Sequence, residues 1–209
     1  MSWKKKLVEF RSFWLYPALA LVLLYCAPVY ESRTVYPDVL WLFPIGALIW
    51  TLLEYCLHRF VFHIRAAILD RRLRDIVNGS HLDHHAAPRD AGKLLVSTSY
   101  GLVVSAVLFA VFYGAGGSLT AAAAVMSGIW AGFLYYEAVH YLVHSNASHS
   151  ALLARQRRWH FYHHFTNTKR CFGVTSPLWD YVFGTARQSR RQPSRFHSRT
   201  EHLRMTSSR

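Results

Sequence analysis

LLVSTSYGLVVSAVLFAVFYGAGGSLTAAAAVMSGIWAGFLYY, residues Leu94–Tyr136, contains no Asp, Glu, Lys, Arg or His. A helix rises about 1.5 Å per residue, so some twenty residues cross a hydrocarbon core of about 30 Å, and this stretch is long enough for two crossings. Gly114-Ala115-Gly116-Gly117 divides it. The same reading applied outward finds Ser12–Tyr30 uncharged between Arg11 and Glu31. It also finds Val39–Leu53 after Asp38, which reaches spanning length by running on toward His58. Four membrane helices are expected, over about 12–30, 39–57, 94–113 and 118–139. The first is expected to be an anchor and not a cleaved signal peptide, since its apolar run exceeds the usual h-region of about 7–15 residues.

The 209 residues carry a net charge of +13, with a mean hydropathy of only +0.10 because the connecting segments are rich in arginine and histidine. Lys4–Lys6 precede the first span, Arg59, Arg65, Arg71, Arg72 and Arg74 follow the second, and Arg155, Arg157, Arg158, Lys169 and Arg170 follow the fourth. The Glu31–Asp38 loop has a single arginine and the Gly114–Ser118 turn no charge. The positive-inside rule then puts both termini in the cytoplasm. Residues 1–11 read as a basic cytoplasmic N-terminus, 12–185 as one membrane domain, and 186–209 as a basic, disordered tail. The basic residues sit where topology and anionic lipid place them and form no nucleic-acid motif, so nucleic acid is not an expected partner.

Ten of the thirteen histidines fall into four clusters: His58 and His63; His81, His84 and His85; His140 and His144; His160, His163 and His164. Neutral imidazole is the commonest metal ligand. The word His-x-x-His-His occurs twice, and residues at i, i+3 and i+4 share a helix face, so each word is expected to present three rings toward one point. His58 and His63 lie about 140° apart on an ideal helix and are expected to straddle a helix end. By topology all four clusters lie on the cytoplasmic side. Ten nitrogens suit two ions better than one, and ligand type alone leaves zinc, copper, iron or nickel open. Cys26, Cys56 and Cys171 form neither a C-x-x-C pair nor a disulfide framework.

Glu54, four residues before His58, and Glu137, three before His140, share faces with candidate ligands and are expected to orient their rings. Asp83 points away from its neighbouring histidines if that segment is helical. Asn78 and Asn167 flank the clusters without being expected ligands, and His149, His197 and His202 are read as surface residues. Trp179 and Asp180 read as a structural corner. Tyr135, Tyr136, Tyr141 and Tyr162 are either tunnel walls or interface aromatics.

Three stretches, Leu53-Glu-Tyr-Cys-Leu-His58-Arg-Phe-Val-Phe-His63, His81-Leu-Asp-His84-His85-Ala-Ala-Pro88 and Phe172-Gly-Val-Thr-Ser-Pro-Leu-Trp-Asp-Tyr-Val-Phe-Gly-Thr185, carry a family resemblance. From about Ile49 to Thr185 the chain resembles the fatty acid hydroxylase superfamily, the histidine-box membrane proteins that include sterol desaturases, and most closely its fatty acid 2-hydroxylases. The His58-x4-His63 spacing is the 2-hydroxylase one; carotenoid hydroxylases tend to have His-x4-His where this chain has His140-x3-His144. The resemblance implies an all-α integral membrane protein of four spans with a cytoplasmic helical lobe holding a di-metal site. Two iron ions, replaceable by zinc in purified samples, would be held by the ten clustered histidines, with O2 as co-substrate and a membrane lipid or fatty-acyl group as substrate, hydroxylated at carbon 2. Sterol or carotenoid hydroxylation or desaturation begins with the same hydrogen abstraction and remains an alternative, as does a non-enzymatic zinc-binding membrane protein. Many relatives carry a fused cytochrome domain before the first span. Here only about eleven residues stand there, so a separate cytochrome or ferredoxin-type donor is expected, docking on the basic cytoplasmic face. Oligomeric state is left open.

Overall fold

The computed structural model describes residues 10–32, 34, 36–63, 81–90, 93–145 and 150–187. The readings made above for residues 1–9, for Arg65, Arg71, Arg72 and Arg74, for Asn78, His149, His197 and His202, and for the tail from residue 188 lie outside the described residues.

Helices account for the architecture, with no strand among the described residues. They are α1 Ser12–Glu31, α2 Tyr36–Cys56 continued by a π-helical turn Leu57–Phe62, α3 Thr98–Gly116, α4 Leu119–Ser145, α5 Ala151–Phe165 and α6 Leu178–Val182, with a further helical segment at 81–86. The first four are long and apolar enough to cross a membrane. The rest form a lobe at the end where α2 and α4 emerge. The chain is an all-α integral membrane protein.

The boundaries differ from the charge pattern for physical reasons. α3 starts at Thr98, not at Leu94, because the backbone just before it is spoken for: the Leu94 carbonyl accepts from His140 and the Val96 amide donates to Glu137. α4 runs on to Ser145 and so carries both His140 and His144 out of the membrane on one rigid element. The long uncharged run turns at Gly117, which closes α3 in the left-handed region (φ 64°) that glycine adopts without a Cβ penalty.

α4 is the axle. Two-thirds of its apolar window is buried, against none for α3, whose Val103, Val107 and Val111 face outward as a lipid-facing helix should. α2 packs most extensively on α4. Small residues make this possible: a Cβ on Gly46 would strike the Val125 carbonyl, and one on Gly128 would strike that of Phe43. Gly132 lies under Trp50, where a Cβ would stand 2.7 Å from the ring. On the opposite side of the bundle Glu31, at the end of α1, caps α4 by accepting from Ser118 Oγ (3.0 Å), the Thr120 amide (3.1 Å) and Thr120 Oγ1 (2.6 Å).

Candidate metal centre

The histidines converge on two points. His58, His63, His81, His85 and His163 form one group and His84, His140, His144, His160 and His164 the other, the nitrogens of each lying within 4.8 Å of one another. The two groups touch: His85 of the first stacks on His164 of the second with ring centroids 4.0 Å apart.

One sequence expectation is corrected here. The His-x-x-His-His words do not each serve one point. On a helix, i and i+4 are about 40° apart while i+3 falls about 60° to the other side, so each word splits. His81 and His85 enter the first group and His84 the second; His160 and His164 enter the second and His163 the first. His58 and His63 do straddle a helix end, His58 inside the last turn and His63 as its cap, but that turn is a π turn. The π turn Leu57–Phe62 widens the helix, bringing i and i+5 onto nearly one face, and the two rings stack at 5.2 Å.

The spacing within each group tests what it could hold. Imidazole nitrogens about 2.1 Å from an ion stand about 3.0 Å apart at right angles and about 3.4 Å apart at the tetrahedral angle. In the first group the Nε2–Nε2 separations are 2.9 Å (His63–His163), 3.1 Å (His81–His63) and 3.0 Å (His85–His81). In the second they are 3.0 Å for His140–His84, His160–His144 and His164–His160. Three separations in each group are thus at right-angle spacing, which suits a five- or six-coordinate ion.

Backbone carbonyls set the ring tautomers. His58 Nδ1–H donates to Phe172 O, His140 Nδ1–H to Leu94 O (2.9 Å) and His163 Nδ1–H to Arg170 O (2.8 Å), leaving each Nε2 lone pair for the centre. Burial pushes the imidazoles beyond the spans toward the neutral, ligating form: His63 and His85 to about 4, His163 to about 3 and His84 to about 2. His81, His160 and His164 move the same way, with neighbouring rings adding to the burial.

Glu54 and Glu137 meet backbone, not rings. Glu54 accepts from the amides of Val174 and Thr175 (2.9 Å) and from the Thr175 hydroxyl, and Glu137 accepts from the Val96 amide at 2.9 Å. Asp83 is exposed, and Asn167 Oδ1 accepts from the Lys169 amide, so neither joins a centre. Trp179 Nε1–H donates to Thr51 Oγ1 at 2.9 Å. Asp180, fully buried, accepts from the amides of Phe172 and Gly173 (both 2.9 Å), from Trp159 Nε1 (3.1 Å) and from Thr185 Oγ1 (2.7 Å). It therefore shapes the loop that holds His58. Gly173 has to be glycine, because a Cβ there would strike the Ser176 carbonyl.

Among the four tyrosines only Tyr136 is buried, stacked 5.5 Å from His140. It lines a narrow apolar cavity of about 50 Å³ between α1, α2, α3 and α4, with Tyr16, Trp50, Tyr100, Gly101, Trp130 and Phe133 among its walls and His58 at one end. Phe62, Val96, Tyr100 and Tyr136 also border a second, more polar cavity lined by Lys93, His81, His84 and His140. Tyr136, one of the candidate tunnel walls, thus lines both cavities, whose other walls come from separate helices and are not legible in any one stretch of sequence.

Residues 43–185 match the family described as fatty acid hydroxylase. The chain belongs to that family. It is 30% identical over 176 residues to the dihydroceramide fatty acyl 2-hydroxylase FAH2 of Arabidopsis thaliana, covering 83% of this chain and 73% of that protein. Similarity extends to the fatty acid 2-hydroxylase of Rattus norvegicus (35% over 145 residues; 69% of this chain, 39% of that one). The ceramide very long chain fatty acid hydroxylase scs7 of Schizosaccharomyces pombe is 30% identical over 151 residues, 68% of this chain and 41% of that one. The chain thus spans less than half the length of the latter two relatives. Among solved structures, full-length scs7p, of which only the hydroxylase domain is visible, superposes with a TM-score of 0.70 at 28% identity over 84% of this chain and 66% of that one.

Proposed function

We propose that this family member hydroxylates a fatty-acyl lipid at carbon 2, using O2 and two iron ions held by the two five-histidine groups. The observation that carries the proposal is the apolar cavity ending on His58 and sharing the Phe62, Val96, Tyr100 and Tyr136 walls with the polar cavity beside both groups. From Tyr136 back to Ile129 the cavity follows α4 for about 10 Å, a third of a bilayer core. An acyl tail threaded into it leaves the head-group end of the substrate beside the histidines, with Lys93 in the polar cavity, and so exposes the carbons nearest the carboxyl. The relatives' names, fatty acid 2-hydroxylase and dihydroceramide fatty acyl 2-hydroxylase, agree with that position.

Bound iron would supply O2 activation and removal of hydrogen from an unactivated C–H bond, chemistry that side chains cannot perform. The chain's part is positional. The histidines offer neutral nitrogens, the four helices hold the tail in an apolar slot, and the Tyr136, Phe133 and Trp50 rings exclude water from it. Substrate, O2, two electrons and two protons give hydroxylated lipid and water. The electrons come from a redox donor, and Arg155 and Arg158 on α5 with Lys169 and Arg170 beyond it offer an acidic donor surface a basic one. That surface lies at the lobe end, which the arginine distribution assigns, with both termini, to the cytoplasm.

The test is lipid mass spectrometry on a host expressing the chain beside a His163→Ala/His164→Ala variant, with a competent donor present. A single added oxygen, located at carbon 2 by fragmentation and absent in the variant, is the expected result. Loss of two hydrogens instead would make the protein a desaturase, and no lipid change would leave the proposal without support.

A further inference from the structure

Each histidine group fixes one of its rings through the same three-part device, and we propose that Glu54 and Glu137 are its positioning residues, one for each metal centre. In the first group the His58 ring donates to the Phe172 carbonyl, and the amide two residues on, that of Val174, donates to Glu54, one turn before His58 on α2. In the second the His140 ring donates to the Leu94 carbonyl, and the amide two residues on, that of Val96, donates to Glu137, one turn before His140 on α4. Helix, carboxylate, backbone strap and ring close a loop in both.

The two loops are exchanged between halves of the chain. Each half runs as two spans, a His-x-x-His-His word and a strap. The strap after the first word, 94–96, serves α4, and the strap after the second, 172–175, serves α2. In the same way the middle histidine of each word, His84 or His163, joins the five-histidine group built on the other half's helix.

Both carboxylates are buried, at 4% and 0% exposure, within the last turns of apolar helices, where an acid is costly. Neither is hydrogen-bonded to an imidazole among the described residues. What they hold is the peptide segment whose carbonyl keeps the proton on Nδ1 and so aims the Nε2 lone pair at the centre. The settings differ in strength: Glu54 gathers three donors from Val174 and Thr175, Glu137 one from Val96.

This inference rests on the reading of the two groups as metal centres, and the two can fail separately. The full chain, purified in detergent and stripped of metal, is titrated with cobalt(II), whose visible absorption reports ligand geometry. Wild type is expected to bind two ions. Glu54→Leu and Glu137→Leu, which keep apolar volume and remove the acceptor, are each expected to weaken one binding event about 10–100-fold and leave the other unchanged. Glu54→Leu/His58→Ala is expected to weaken no event beyond the one His58→Ala weakens, whereas Glu54→Leu/His140→Ala weakens both. Glu→Gln retains an acceptor oxygen and restores most of the affinity, more fully at position 137. Glu→Asp, charged but one methylene short of the strap, weakens its own event and keeps the proposal testable should a leucine variant fail to fold. Folded variants that bind both ions as wild type does, or that weaken both events together, overturn the proposal. Wild type that binds no ion overturns the metal centres themselves.

Discussion

Asp180→Asn replaces one oxygen of a buried carboxylate that accepts four hydrogen bonds with a donor, and the structure dictates which bond is lost. The hydroxyl order around it is set by Arg59, which can only donate: Arg59 donates to Tyr55 OH (2.6 Å), Tyr55 to Thr185 Oγ1 (3.0 Å) and Thr185 to Asp180 Oδ1 (2.7 Å). Oδ2 accepts from two groups that cannot reverse, the Gly173 amide and Trp159 Nε1, so the single oxygen of asparagine takes that place. Its NH2 group then faces Oδ1's donors. Thr185 can turn and accept; the Phe172 amide cannot, and it is left buried and unsatisfied. One such donor costs about 1–3 kcal/mol, and about 2 kcal/mol lowers the melting temperature of a chain this size by about 4–8 °C. Phe172 is also the residue whose carbonyl holds His58, so the first metal centre weakens together with the fold. Thermal unfolding in detergent and cobalt titration measure both effects. A melting temperature equal to wild type, with both ions bound at wild-type affinity, refutes the reasoning.

Further perturbations follow from the same geometry. His84→Ala/His85→Ala strikes both centres and should abolish tight binding of both ions, whereas His84→Ala/His140→Ala and His85→Ala/His163→Ala should each spare one; a cobalt titration in which the 84/85 pair spares one centre contradicts the split of the word. Gly128→Val drives a side chain into the Phe43 carbonyl, and overpacking of this kind costs about 1–3 kcal/mol or more, read as a lower melting temperature. Gly101→Leu projects toward the Tyr16 hydroxyl across the apolar cavity and should cut turnover of long acyl chains more than of short ones; equal loss for both would remove the cavity from the acyl path. The metal-free protein should lose stability on acidification. His63 and His85 titrate at about 4 when folded and near 6.5 when unfolded, so below about pH 6.5 the unfolded chain binds protons that the folded one refuses. That contribution is complete above 6.5 and is lost as pH falls toward 4; melting temperatures that hold constant or rise over that range contradict it.

Much of this was legible in the residues. Uncharged runs pointed to the four long apolar helices because a bilayer core disfavours charge, and histidine spacing pointed to the residues that converge because imidazoles must share helical faces to meet. What escaped has a common cause. The π turn after Cys56 has no residue signature; it follows from the demand that His58 and His63 meet at one centre. The division of each word was implicit in the 3.6-residue period, but which flank counts depends on a second centre that no single helix reveals. The partners of Glu54, Glu137, His58 and His140 are backbone amides and carbonyls, which every residue possesses, so Leu94–Val96 looked like the start of a span and Phe172–Thr175 like a loop. Asp180 read as a corner residue, and its four accepted bonds are what a corner of that kind requires.

The most direct test of the account is isotopic. Purified chain loaded with iron, supplied with a reduced donor and a fatty-acyl lipid in vesicles, is exposed in parallel to heavy-isotope O2 in ordinary water and to ordinary O2 in heavy-oxygen water. The account predicts a carbon-2 hydroxyl whose oxygen carries the label from O2 alone, with none formed by the His163→Ala/His164→Ala variant. Label arriving from water, or no hydroxylated lipid from protein that holds both ions and is being reduced, would contradict it.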